Sequence, residues 1–209
     1  MRAPASLLLL ASLLCATLLG FEQDGEEKDP PPPPPARQNP ILREHFEERY
    51  PRFGDDRINR PFLERYVDDQ IDHFLEVMES DLAQMRQAFE EADRARLRCL
   101  AGENPEDRRA FRDSLRELER RAGDLRGRLR FILRGIDDRK SFSPPKQEGP
   151  LFEAAFEFLR EHVEKAENGI RDYFFGTNPT VRYEDLQDEN LLIHLYWIDR
   201  AAAHIRERL

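Results

Sequence analysis

Residues 111–136, FRDSLRELERRAGDLRGRLRFILRGI, set Phe111, Leu115, Leu118, Ala122, Leu125, Leu129, Ile132 and Ile136 at alternating steps of four and three. Seven residues per two steps is the period of two helical turns, so these side chains form one apolar seam sustained over more than three heptads. Such a helix has to bury its seam against another helix, and that requirement governs the reading of everything around it. The same stretch carries eight arginines against four acids, the composition of an arm that seeks nucleic acid or lipid. The arginines fall outside the seam, however, and the whole chain has a formal net charge of −9, where a phosphate-binding domain normally shows a basic surplus.

The charge is answered within the chain. Upstream, Leu63, Val67, Ile71, Phe74, Met78, Leu82, Met85, Phe89 and Ala92 mark a second apolar helix face, closed near Leu100 by Gly102. Asn104 then has the character of an N-cap, with Pro105 at the first helical position and Glu106 and Asp107 in the first turn. If the two helices fold back on each other, positions whose numbers sum to about 205 become neighbours. That sets Asp68, Asp69, Asp72, Glu76, Glu79 and Asp81 beside Arg126, Arg128, Arg130 and Arg134. Exposed pairs of this kind contribute only a few tenths of a kcal/mol each, so they set register more than they stabilise.

A second helical pair is expected beyond the Pro- and Gly-bearing loop 137–149. Leu151, Phe152, Ala155, Phe156, Leu159, Val163, Ala166, Ile170 and Phe174 mark one helix, with Gly169 as a bend and Gly176 as a left-handed cap. Leu191, Leu195, Ile198, Ala202, Ile205 and Leu209 mark the last helix, after a turn at 177–180. No segment shows strand alternation. The expected fold is all-α: two antiparallel hairpins, one long and coiled-coil-like, forming a four-helix-bundle-like domain over 61–209, with helices at about 61–101, 104–138, 150–175 and 183–208.

Ahead of that domain, MRAPASLLLLASLLCATLLG has one arginine, an apolar run from Leu7 to Leu19 and a small residue at Gly20, the pattern of a signal peptide over 1–20. The run is shorter than a spanning helix needs, so a cleaved leader is expected rather than an uncleaved anchor, and no integral membrane segment once the leader is removed. Cys15 invites a lipoprotein reading, but Leu14 stands where a small residue is needed. Residues 21–40 read as an acidic, proline-rich linker in which Pro30–Pro35 form a stiff polyproline II spacer roughly 20 Å long. Residues 41–60 read as a short helix and loop packed loosely on the rest. A secreted, periplasmic or cell-envelope location follows, with Cys99 the one cysteine left after cleavage and therefore no internal disulfide. Burial near a helix end and pairing between chains both remain open for that thiol. The sequon-like Asn178-Pro179-Thr180 is disqualified by its proline.

Three constellations are candidate sites. Asp69 and His73, and Asp72 and Glu76, each lie one helical turn apart, so Asp69, His73 and Glu76 could share a metal, although the inward Glu-x-x-His pairs of di-iron bundles are missing. A solvated face complementary to the arginines accounts for the same residues. Asn190, His194, Trp197, Ala201 and His204 form a stripe beside an apolar seam, suited to a pocket or to plain core packing. Phe174 and Phe175 are adjacent and cannot both face one core, so they either offer a partner-binding patch or cover the end of the bundle against Phe142, Leu151 or the segment around Phe53. No Gly-x-Ser-x-Gly, phosphate-binding glycine loop or Cys-x-x-Cys occurs, so no catalytic residue and no cofactor are assigned. The expected function is a non-enzymatic, protein-binding scaffold or chaperone-like module with an unidentified protein partner and no nucleic acid, its seams equally able to form a homodimer. The alternative is a small-ligand or metal-binding bundle, in the enzymatic case using Asp69, His73 and Glu76 or His194 and His204.

Overall fold

The computed structural model describes residues 39–50, 56–102, 104–134, 142–143, 145, 150–176 and 191–209. The chain divides into two units, 1–32 and 33–209, and every described residue belongs to the second. The leader, the proline tract, Phe53, Ile136, the turn at 177–180 and Asn190 lie outside the described residues.

Every regular element among the described residues is helical: α1 (Pro40–Glu47), α2 (Asp56–Ala101), α3 (Pro105–Ile132), α4 (Glu153–Ile170) and α5 (Leu191–Arg206). The heptad seam is the buried edge of α3, with Phe111 through Leu129 fully covered and Ile132 nearly so. Its start is fixed as the sequence predicts, because the Asn104 side chain accepts from the Glu106 amide at 3.0 Å with Pro105 behind it. It ends earlier than expected. Leu133 leaves helical geometry at ψ 65 while its amide still reaches the Leu129 carbonyl at 2.7 Å.

Helix α2 begins at Asp56, five residues before the expected start, and runs through Pro61. A proline one turn into a helix removes a single hydrogen bond near an end where few exist, so the helix survives it. The lead-in is not loose. Asn39 Oδ1 accepts from the amides of Ile41 and Leu42 and caps α1, whose Leu42, His45 and Phe46 are buried.

Before α4, Leu151 and Phe152 form a 3-10 turn with φ of 47° and 60°, rather than the first positions of a helix face. Left-handed backbone at two large residues is costly, on the order of 1 kcal/mol each, and persists only because the surroundings hold it. The regular geometry of α4 gives way at Arg171 to a π turn over Arg171–Phe175. Gly176 that follows is extended (φ −67°, ψ 159°), not a left-handed cap. What it supplies is space, since a Cβ there would collide with the Asp172 carbonyl oxygen. Gly169 has the same role toward α5, whose Leu191 side chain fills the volume a Cβ would need.

One continuous core draws on all five helices. Helix α2 packs on α3, α3 on α5, α5 on α4 and α4 on α2, while α1 lies against α2 and α3. Polar ties follow the same contacts. Arg98 meets Asp107 and Asp81 meets Arg128, pairs whose numbers sum to 205 and 209. Arg128 Nε is 2.6 Å from Asp81 Oδ2 without being aimed along a hydrogen-bonding direction, so that buried oxygen has a charge partner but no aligned donor. Glu167 and Asp93 link α4 to α2 through Arg86 (2.8 Å) and Arg160 (3.2 Å), and Glu119 links α3 to α5 through Arg206 (3.0 Å). The remaining predicted acid-to-arginine ladder is partly redirected: Asp68 pairs with Arg43 of α1 at 2.7 Å, and Arg126 lies over the Tyr196 ring.

Candidate functional site

Among the described residues two places combine exposure with chemistry. The first is a groove of about 670 Å³ between α1, α2 and α3. Its walls are Phe46, Phe74, Val77, Phe131 and Ile132, and its polar margin is Gln70, His73, Asp124 and Arg128. Part of its α3 side is bare backbone: Gly123 and Gly127, four residues apart and thus on one helix face, have no atoms within 4 Å of where a Cβ would stand. Phe131 is 49% exposed, a large apolar ring at the edge of open space, with the Arg49 guanidinium 3.6 Å above it. His45 meets the same ring edge-on, 5.1 Å away and buried, with Nε2 unpartnered. Burial, and after it the Arg49 and Arg134 charges, hold the pKa of His45 down to about 4.

The second is the contact of α4 with α5. His162 and His194 face each other with Nδ1 atoms 3.1 Å apart and ring centroids 5.0 Å apart. Trp197 stands 4.8 Å from His162, Phe158 packs edge-on against it at 4.1 Å, and Phe142 extends the aromatic wall. His162 is 4% exposed and His194 is half-buried. Burial lowers both pKa values, that of His194 to about 4, with Lys165 opposing protonation and Glu161 favouring it. Beside the pair, Pro145, Ala154 and Phe158 bound a hollow of about 570 Å³ rimmed by Glu157, Glu161 and Glu164.

The predicted site residues divide between these places. His194 and Trp197 come together, joined by His162, which the sequence reading did not single out. His204 lies further along α5, half-buried, its pKa lowered by burial and Arg208. Asp69, His73 and Glu76 are exposed on α2, and His73 borders the groove. Among the described residues no group of three or more His, Cys, Asp and Glu could hold a metal ion. Phe174 is buried against Phe74 of α2 at 5.7 Å, and Phe175 is half-buried on the core. Phe142 meets Phe158 instead. Cys99 is partly buried, its thiol pushed up by burial and by Asp107. No helix among the described residues is long and apolar enough to cross a membrane. Comparison with known proteins finds no matching family model, no matching curated protein and no matching solved structure.

Proposed function

We propose that this chain is an exported, non-enzymatic helical-bundle protein that works by holding an apolar helix of another protein, as a scaffold or chaperone-like module. In this reading two antiparallel hairpins, α2/α3 and α4/α5, close on each other as a four-helix bundle. Support comes from the pairs along the contacts α2/α3, α2/α4, α4/α5 and α3/α5, whose numbers rise on one helix as they fall on the next. The leader over 1–20 sends the chain out of the cytoplasm.

The observation that carries the function is the groove between α1, α2 and α3. A half-exposed phenylalanine beside two side-chain-free glycines offers apolar area together with close backbone approach, the two things a helix needs to dock in a groove. The test is a photo-crosslinking residue in place of Phe131 in the full chain, produced in its own cell, alone and combined with Gly127→Leu. A discrete heteromeric adduct that Gly127→Leu abolishes supports the reading. An adduct only with a second copy of the chain replaces it with self-assembly, and adducts indifferent to Gly127→Leu sink it.

A further inference from the structure

The His162–His194 contact calls for an account of its own, because it puts two good metal donors together where an ordinary core would put hydrocarbon. Both side chains point inward from different helices, and the two nitrogens that meet are of the same kind, Nδ1 against Nδ1 at 3.1 Å. With metal–nitrogen bonds of about 2.0–2.1 Å, that separation subtends an angle of roughly 100° at an ion placed between them. This lies between the angles of octahedral and tetrahedral coordination, so neither helix has to move far. The partners of the pair agree with a cation. Glu161 acts electrostatically on both rings, and the neighbouring hollow brings Glu157, Glu161 and Glu164 against the single guanidinium of Arg160. Lys165, 2.6 Å from Glu161, works against it.

We propose that the paired Nδ1 atoms of His162 and His194 form a binding site for a late first-row divalent cation, Cu²⁺ more tightly than Zn²⁺, with water completing the coordination. Imidazole suits both ions, and the order follows the general ranking of these metals. Both rings have to be neutral to ligate, which is the state that burial imposes on them. In the metal-free protein one Nδ1 carries the proton of an N–H···N hydrogen bond. That ring shifts its proton to Nε2 when the ion enters, so binding at neutral pH releases no net proton from the pair.

The same 3.1 Å also serves the hydrogen bond alone, and the experiment has to separate the two. The chain has one tryptophan, Trp197, 4.8 Å from His162 and 6.0 Å from His194, a built-in reporter for a paramagnetic ion. Untagged full-length protein is titrated with Cu²⁺ at pH 7 while the Trp197 emission is followed, and Zn²⁺ is then added in competition. The expected result is quenching that saturates at one equivalent, is reversed by excess Zn²⁺ or a chelator, weakens at least tenfold in His162→Ala and His194→Ala, and is unchanged in His204→Ala. Because either alanine could disturb the α4/α5 contact, the unaltered protein is also observed by long-range ¹H–¹⁵N NMR. There Zn²⁺ should move the Nδ1 resonances of both histidines and leave the Nε2 atoms protonated. Quenching without saturation, quenching that survives in both alanine variants, or Nδ1 resonances indifferent to Zn²⁺ would each reduce the pair to a buried hydrogen bond.

Discussion

Asn39 uses both ends of one side chain. Oδ1 accepts from the Ile41 and Leu42 amides at 3.1 and 3.2 Å, and Nδ2 donates to the Tyr173 carbonyl at 2.7 Å, tying the start of α1 to the π turn after α4. A cap alone would be preserved by aspartate, which is as good at this position. Here aspartate would turn an oxygen toward the Tyr173 carbonyl, so Asn39→Asp is expected to destabilise about as much as Asn39→Ala, by about 1–2 kcal/mol in urea unfolding. An Asn39→Asp protein as stable as the original would mean that the bond to Tyr173 does not hold α1. The other cap, Asn104, was legible because Pro105, Glu106 and Asp107 follow it in sequence. Asn39 was not, since half of its function depends on a carbonyl 134 residues away and its flanking prolines read as linker. The left-handed Leu151 and Phe152 were invisible for a related reason: nothing in a leucine or phenylalanine announces φ above zero.

At the scale of elements, α3 was the most readable part of the chain, since a strict seam of seven positions fixes which face is buried. Helix α1 was foreseen as a short helix but its tight packing was not, because eight residues with no sustained seam carry little local signal, and its burial comes from the groove-side rings of α2 and α3. The glycines show how one residue type answers to different constraints. Gly123 and Gly127 stand in the middle of α3 with open space above them, so alanine at either position gains helix propensity without a clash. Each substitution should raise stability by roughly 0.5–1 kcal/mol, read as a higher urea midpoint with an unchanged slope. If the open backbone is kept for a partner, the larger Gly127→Leu should leave the fold equally stable while removing the crosslink from position 131. Gly176→Ala is expected to act in the opposite direction, because the obstructing atom is backbone oxygen and cannot rotate away. A Gly176→Ala protein with an unshifted midpoint would contradict the tight contact with Asp172.

For the molecule as a whole, the half of the candidate site that was legible is the half on one helix. His194 and Trp197 are three residues apart and share a stripe, whereas His162 lies among the apolar positions of α4 and reaches His194 only through tertiary packing. Its one sequence signal was a histidine inside the run Leu159, Val163, Ala166. The same packing makes stability respond to acid. His45 and His194 are held near a pKa of about 4, and His162 is lowered as well, while the unfolded chain titrates near 6.5. As pH falls below about 6.5 the unfolded state takes up protons that the folded state refuses, so stability is complete above that pH and is lost progressively toward about 4. Each histidine contributes a slope of at most ~1.4 kcal/mol per pH unit, and the facing pair titrates as a unit rather than as two independent groups. Two carboxyls modify the lower end. Glu117, held down to about 2 by Arg120 and Arg121, adds stability that fades only below the histidine window, and Asp199, pushed up by burial and by Glu119, opposes the trend. His45 faces Arg49, Arg134 and Glu48, and its Nε2 has no partner to lose, so His45→Leu should cost little at pH 7. Urea midpoints at pH 7, 6, 5 and 4.5 are expected to fall steadily in the original protein and less steeply in His45→Leu. Parallel curves would remove His45 from the acid response and leave it to the His162–His194 contact, where Trp197 emission should change over the same range.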